Sequence, residues 1–279
     1  MTTRTMMEPE TLFSELDEPF ALTPDAIQSY RVNGHVTLKQ CLSHETLEYY
    51  GEVITDLVIS PHTQAKPMSE LSTYEKAFVQ VMNLWRKNDD VRTFVFSRRL
   101  AQIAARMMGV QGTRLYHDQA LYKEVGGGFT PWHADQFYWP FQSPNTVTAW
   151  IPLQDTPLDM GPVMFAERSQ HSTVGRDLII GDESEATLGK AIQKLNFKVQ
   201  PKPFELGDVS FHAGWTYHRA GPNVTATPRR VMTIIYMDRD ITISQPKRKE
   251  QETDRQAWLS SLPIGSIPDG PLNPILYEP

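Results

Sequence analysis

The sequence predicts a mainly β protein with flanking helices, its core a barrel or two-sheet sandwich. Three observations carry that prediction. From about residue 113 short β-favouring runs recur at regular spacing: Leu115–Val125, Thr146–Pro152, Gly161–Ala166, Phe197–Val199, Val209–His212 and Arg230–Met237. Turn clusters punctuate them, at Gly126-Gly127-Gly128, Pro157, Gly207-Asp208 and Gly221-Pro222-Asn223. Helical spacing is concentrated before residue 108, so the order is helices first and strands second, not alternating βαβ units.

The elements follow in order. The first twenty residues carry Glu8, Glu10, Glu15, Asp17 and Glu18 with little periodicity, and residues 1–21 read as a mobile arm. Thr23 can cap a helix whose first turn holds Pro24, with Ile27 and Tyr30 on its apolar face and Asn33-Gly34 as its stop. A short strand, His35 to Leu38, comes next. Ser43 can cap a second helix carrying Leu47, Tyr50, Val53, Ile54 and Leu57. Residues 61–75, polar and with two prolines, read as a loop, and helical spacing returns over 76–87 and 91–108. Residues 174–195 read as a partly helical insertion. After Asp240 a solvated charge cluster, Lys247-Arg248-Lys249-Glu250, leads into a proline-rich surface segment. The expected organisation is therefore one domain over 22–279. A helical buttress (22–108) precedes the β core (about 113–240), and a C-terminal surface segment (241–279) follows it.

Composition sets the outer bounds. Of 279 residues, 40% are hydrophobic and 22% charged, which excludes a disordered or collagen-like chain. No apolar run approaches the ~18 residues of a spanning helix. The start, MTTRTMMEPETLF, has no apolar stretch of a secretory signal, so a cytoplasmic location is expected. One cysteine, Cys41, forbids an internal disulfide or a cysteine-based zinc site. The net charge of −6 gives no general attraction to nucleic acid or anionic membrane. The expected partner is a small molecule, and nothing in the pattern selects an oligomeric state.

Chemistry concentrates at Pro131-Trp132-His133-Ala134-Asp135. In an extended segment residues i and i+2 share a face, so His133 and Asp135 can hold one metal ion together. A second histidine from a distant strand would complete a 2-His-1-carboxylate set with three positions open. His218 is the candidate, at the end of a turn–strand–loop stretch that starts at Gly207; His212 is its rival. Gly221-Pro222-Asn223 then turns the chain back toward Arg229, with Arg230 the neighbouring rival. Strand neighbours face opposite sides, so only one arginine can enter the barrel. A dicarboxylate chelating the metal through its keto acid end needs its far carboxylate neutralised, and arginine does this bidentately at any relevant pH.

Taken together, the chain resembles the phytanoyl-CoA dioxygenase family of Fe(II)/2-oxoglutarate oxygenases from Leu22 to about Met237. The resemblance rests on Asn33-Gly34-His35-Val36-Thr37-Leu38 and on Gln119-Ala120-Leu121-Tyr122-Lys123 before a glycine-rich turn. It continues through His133-X-Asp135, Trp150 and Pro152, Gly161-Pro162 before Ser169-Gln170-His171, and the spacing His218…Asn223…Arg229. It implies a double-stranded β-helix, the jelly-roll or cupin-like core. It implies iron ligands His133, Asp135 and His218, and 2-oxoglutarate contacts from Gln119, Trp150 and Arg229. Fe(II), 2-oxoglutarate and O2 would together hydroxylate an unactivated C–H bond of a small metabolite, releasing succinate and CO2; desaturation or ring formation starts from the same chemistry.

The strand Thr146–Ile151 agrees, with Thr146, Thr148 and Trp150 on one face and Val147, Ala149 and Ile151 on the other. One departure is Ala220, where many relatives carry a serine that bonds 2-oxoglutarate; Thr148 or water is the expected substitute. A carboxylate at Asp135 argues against halogenation, since related halogenases keep a small residue there. Lys123 either approaches the co-substrate or closes its loop. Phe137, Tyr138, Trp139 and Phe141 form either a substrate-facing lid or ordinary packing. Two other readings stand beside the oxygenase: a cupin-type metal-dependent isomerase or binding protein without 2-oxoglutarate, and an inactive relative serving as an interaction domain.

Overall fold

In the computed structural model residues 14–59 and 79–279 are described. Helix α1 (Pro24–Asn33) begins where Thr23, extended, accepts from the Ala26 N–H at 3.2 Å. It stops at Gly34, whose φ of +81° a side chain would oppose and whose N–H returns to the Tyr30 carbonyl. Strand β1 (His35–Leu38) and helix α2 (His44–Ile59) follow, the latter capped by Ser43 Oγ on the Thr46 N–H. Leu47, Tyr50, Ile54 and Val58 place one buried stripe along α2.

Two expectations change here. The arm assigned to residues 1–21 is anchored over 14–21, while 1–13 lie outside the described residues. Leu16 is 2% exposed, and the Glu15 carboxylate accepts from Ser43 N–H and Oγ and pairs with Arg99 at 3.0 Å. The acidic run thus hides one apolar residue and one carboxylate with built partners. The helix expected over 76–87 is instead strand β2 (Val79–Met82) with a 3-10 turn over 84–86; residues 76–78 and the 61–75 loop lie outside the described residues. Val79 and Val81 are β-branched and alternate, and β2 completes the sheet beside β3 (Thr113–Tyr122), Val79 opposite Tyr122.

The 91–108 periodicity resolves into α3 (Asp89–Val95) and α4 (Arg98–Met108). Ser97 divides them, accepting from the Leu100 N–H and donating to the Leu16 carbonyl.

The remaining strands are β4 (Thr130–His133), β5 (Thr146–Pro152), β6 (Val163–Phe165), β7 (Val209–Ala213), β8 (His218–Ala220), β9 (Val231–Asp238) and β10 (Ile275–Tyr277). Helix α5 (Asp182–Lys194) lies within the predicted insertion, and α6 (Lys249–Trp258) begins at the charge cluster. All pairings are antiparallel. The large sheet runs β1-β7-β5-β9-β3-β10 with β2 on β3, and the small sheet runs β4-β8-β6.

Two antiparallel sheets with helices stacked on the larger one give the jelly-roll core. Val147, Ala149 and Ile151 of β5 join Leu47, Tyr50, Leu100 and Ile103 in the principal hydrophobic core. Thr148 and Trp150, on the opposite face, point between the sheets, into the space that holds the site. The C-terminal segment does more than cover surface. Ile241, Ile243 and Leu259 pack on Tyr116, Trp139, Phe141, Ile235 and Met237, and β10 pairs with β3. Its sequence hid this because α6 buries only Gln251 and shows no apolar stripe. No helix among the described residues is long and apolar enough to cross a membrane.

Asp118 ties the 3-10 turn after β2 to β3 from inside the protein, accepting from the Leu84 N–H at 2.9 Å while 0% exposed. Burial pushes its carboxyl up to about 7, against the pull of the Leu84 and Trp85 amides. A folded-state value above the unfolded one means the native state binds the extra proton, so stability falls as pH rises from about 4 to about 7. Asp118→Asn keeps an acceptor for Leu84 without this loss. Urea denaturation should show the variant gaining about 3 kcal/mol on wild type between pH 5 and pH 8; an unchanged difference would show that Asp118 is ionised without cost.

Candidate metal centre

His133 closes β4 and His218 opens β8, and the two are direct partners across this antiparallel pair. Pairing at the rim of the small sheet is what brings together two histidines so far apart in sequence. Their Nδ1 atoms lie 2.7 Å from the Pro131 carbonyl and 3.0 Å from the Thr216 carbonyl. A carbonyl can only accept, so each Nδ1 carries the proton and each Nε2 presents a lone pair.

Asp135 starts a 3-10 turn (residues 135–137) immediately after β4, and its Oδ1 sits 3.6 Å from His133 Nε2 and 3.5 Å from His218 Nε2. One ligand atom from each of the three lies within 4.8 Å of the others. Burial works to raise the Asp135 carboxyl, but the imidazoles of His218, His133 and His212 outweigh it and hold it well below the usual carboxylate range. Burial and the neighbouring His133 push His218 well below the ordinary histidine value. Two Nε2 atoms and a carboxylate oxygen brought together in this way are the nitrogen-and-oxygen donor set a divalent metal takes, binding it with the imidazoles neutral and the carboxylate ionised.

The second carboxylate oxygen is held separately. Thr148 Oγ1 donates to Asp135 Oδ2 at 3.1 Å, and His212 Nε2 lies 3.3 Å from the same atom. His212 therefore touches the carboxylate from behind, while His218 sits with His133 on the open side. The Thr148 hydroxyl proposed as substitute for the missing serine is committed to Asp135, and Ala220 itself lines the cavity.

That cavity runs from His133, Asp135 and His218 past Gln119 and Trp150 to Arg229. Arg229 is 2% exposed and faces inward, donating to the Gly161 carbonyl and lying 5.7 Å from the Trp150 ring, with its Nε unpartnered. Burial lowers its guanidinium only to about 10, so it stays charged. Arg230 turns to the opposite side and donates to Gln154 Oε1 at 2.6 Å. A buried cation with a free donor and no carboxylate partner among the described residues is a place made for an anion.

Lys123 closes its loop. Its Nζ donates to the Gly128 carbonyl at 2.5 Å and to the Gly221 carbonyl at 2.8 Å, tying the glycine turn to the segment after β8.

His117, which the sequence reads as structural or exposed, is buried on the same face of β3 as Gln119. It is 4% exposed with Nδ1 unpartnered; burial pushes its imidazole down to about 4, with Asp135 acting in the opposite sense. Its two-residue spacing from Gln119 was the available signal. Trp139 and Phe141 pack in the core cluster and also wall a second cavity, so the two readings of that aromatic run are not exclusive.

Comparison with known proteins agrees with this geometry. The phytanoyl-CoA dioxygenase (PhyH) family matches residues 30–231. A methylphosphonate hydroxylase of Gimesia maris is 21% identical over 217 residues, 77% of this chain and 80% of the relative. An ectoine dioxygenase of Bordetella parapertussis is 21% identical over 273 residues, 88% of this chain and 87% of the relative. The epimerase SnoN, crystallised with Fe3+, α-ketoglutarate and nogalamycin RO, shares the fold with a TM-score of 0.74 at 23% identity, over 97% of this chain and all of that one. A match over well more than half its length, on the segment that carries the His–Asp–His cluster and the buried arginine, places this chain in the phytanoyl-CoA dioxygenase family of Fe(II)/2-oxoglutarate oxygenases.

Proposed function

We propose that His133, Asp135 and His218 hold Fe(II), that 2-oxoglutarate lies along the cavity with its far carboxylate on Arg229, and that the enzyme hydroxylates a C–H bond of a small molecule. The balance is one O2 and one 2-oxoglutarate consumed, one succinate and one CO2 released, and one oxygen atom inserted into substrate. The observation that carries this is a single buried cavity with a metal-ready His–Asp–His cluster at one end and an uncompensated arginine at the other.

Bound there, Fe(II) supplies the oxygen activation that couples decarboxylation of 2-oxoglutarate to C–H oxidation. The chain's own residues do the rest. The Pro131 and Thr216 carbonyls fix the two imidazoles, and Thr148 and His212 fix the carboxylate. Arg229 orients 2-oxoglutarate by its tail, while Trp150 and Gln119 wall its length and exclude water. The relatives' names, a methylphosphonate hydroxylase and an ectoine dioxygenase, support a small-molecule substrate.

The test is anaerobic addition of Fe(II) and 2-oxoglutarate, followed by the weak visible charge-transfer absorption of the chelate. A band that appears with both additions and is lost in His133→Ala supports the reading. Metal binding without any band on adding 2-oxoglutarate would instead favour a metalloprotein that does not use this co-substrate.

A further inference from the structure

A second cavity, of about 580 Å³, opens beside the candidate metal centre and lies within the usual size of small-molecule sites. Its wall includes Gln136, which directly follows Asp135, and Gln136 bonds Thr146 Oγ1 at 2.5 Å. Thr146 is two residues along β5 from Thr148, which touches Asp135 and lines the first cavity, so the Gln136 wall is tied to the metal-site cavity through residues about 7 Å apart on one strand.

The charge on this wall is one-sided. Arg176, Lys247 and Arg248 line it, and among the described residues no aspartate or glutamate does. None of the three has a carboxylate within ion-pair distance among the described residues, on a chain whose net charge is −6.

Two of these cations are held in place by neutral groups. Arg176 donates from Nε to the Ser172 carbonyl at 2.8 Å and from a terminal nitrogen to the Gln170 carbonyl at 2.9 Å, and lies 4.3 Å over the Trp215 ring. Arg248 donates to the Arg176 carbonyl at 3.0 Å and lies 4.3 Å over the Phe137 ring. Gln251 pins the segment by donating to the Phe137 carbonyl at 3.1 Å and accepting from the Lys247 N–H at 2.9 Å. A guanidinium has five N–H donors, and these bonds leave several unused. Carbonyls and aromatic faces orient the arginines without neutralising them, which pre-organises them for an oxyanion. Trp139, Phe141 and Trp215 supply flat apolar wall beside the charge.

We infer that this cavity binds the oxyanion end, a carboxylate or a phosphate ester, of a substrate with a flat or apolar body, and so presents that substrate to the candidate metal centre. The anion site stands on its own geometry; calling its ligand the substrate rests on the oxygenase reading. Lys247 and Arg248 belong to the charge cluster that the sequence reads as solvated, and the fold adds Arg176 from a segment about 70 residues away, which is why the run alone did not announce a site.

The experiment is calorimetric titration of metal-free protein with 2-naphthoate, 2-naphthyl phosphate and the largely uncharged 2-naphthol at neutral pH. At least one of the two anions should bind at a single site tenfold or more tighter than naphthol, and the tighter of them identifies the head group. Arg176→Gln and Arg248→Gln should each weaken that anion at least tenfold, and the exposed Lys247→Gln, which no fold contact needs, three- to fivefold. His133→Ala should leave the affinity unchanged, so that failure of the iron reading is seen separately. Naphthol binding as tightly as the anions, or affinity indifferent to all three substitutions, would overturn the anion site. In protein loaded anaerobically with Fe(II) and 2-oxoglutarate, the bound anion should also shift the visible absorption of the chelate; arginine-dependent binding with no shift would overturn the substrate role.

Discussion

Replacing His218 with alanine should abolish stoichiometric iron binding and lower 2-oxoglutarate-dependent turnover more than about 100-fold, beyond what loss of a group that only supports a ligand costs. His212→Ala should keep the metal and lose about 10- to 100-fold. The two histidines lie with ring centroids 4.4 Å apart, and the sequence reading makes His218 the distal ligand with His212 as its rival. The distinction is geometric. His218 Nε2 meets Asp135 Oδ1, the oxygen His133 also faces, whereas His212 Nε2 meets Oδ2. His218 is also oriented by a backbone carbonyl through Nδ1, while His212 Nδ1 has no partner among the described residues. Iron per protein chain and succinate formation measure the two effects separately. Metal loss in His212→Ala together with retention in His218→Ala would reassign the ligand.

Short-range patterns were the legible part of this protein. Thr146–Pro152 is recovered as β5 residue for residue, because a strand between helices and a lumen must alternate apolar with polar. His133 and Asp135 were readable as a pair for the same reason: they are two residues apart at the end of a strand. Thr23-Pro24 and Gly34 marked both ends of α1 because capping is chemistry local to a few residues.

What the sequence left open depends on where the chain meets itself. The spacing to Arg229 favours His218 over His212, but that His218 lies beside His133 comes from the pairing of β4 with β8, and pairing register is not written in either strand alone. Helix α6 was unreadable because it closes the end of the core largely through residues that flank it, Ile241, Ile243 and Leu259, and not through a stripe of its own. The strand at 79–82 was read as helix because four residues with a single polar position are too few to fix a period; the open side of β3 settled it. The arm over 14–21 is held by one buried leucine and one carboxylate, too little to register as a pattern.

The charge that matters follows the same rule: the net value of −6 described neither Arg229 nor the cavity at Arg176 and Arg248. Arg229 yields the second large effect. Arg229→Met should weaken 2-oxoglutarate by roughly 30-fold to several thousand-fold, the equivalent of the ~2–5 kcal/mol lost when one member of a buried, hydrogen-bonded charge pair is removed. Arg230→Gln should change it less than about threefold, since a half-buried charge that faces away from the cavity and is bonded to Gln154 contributes little to binding there. The free protein should behave differently from the complex. Without co-substrate, Arg229 is a buried cation with an unpartnered Nε and no carboxylate beside it, so its removal relieves desolvation while depriving the Gly161 carbonyl of a donor. These oppose each other, and the melting temperature of Arg229→Met without ligand should stay within a few degrees of wild type. The further rise in melting temperature that 2-oxoglutarate adds to the Mn(II)-loaded wild type should be largely lost, because stabilisation by a ligand falls as its dissociation constant rises above the concentration used. A variant that keeps this rise would show that the far carboxylate is held elsewhere in the cavity, with Gln119 and Trp150 as its remaining neighbours.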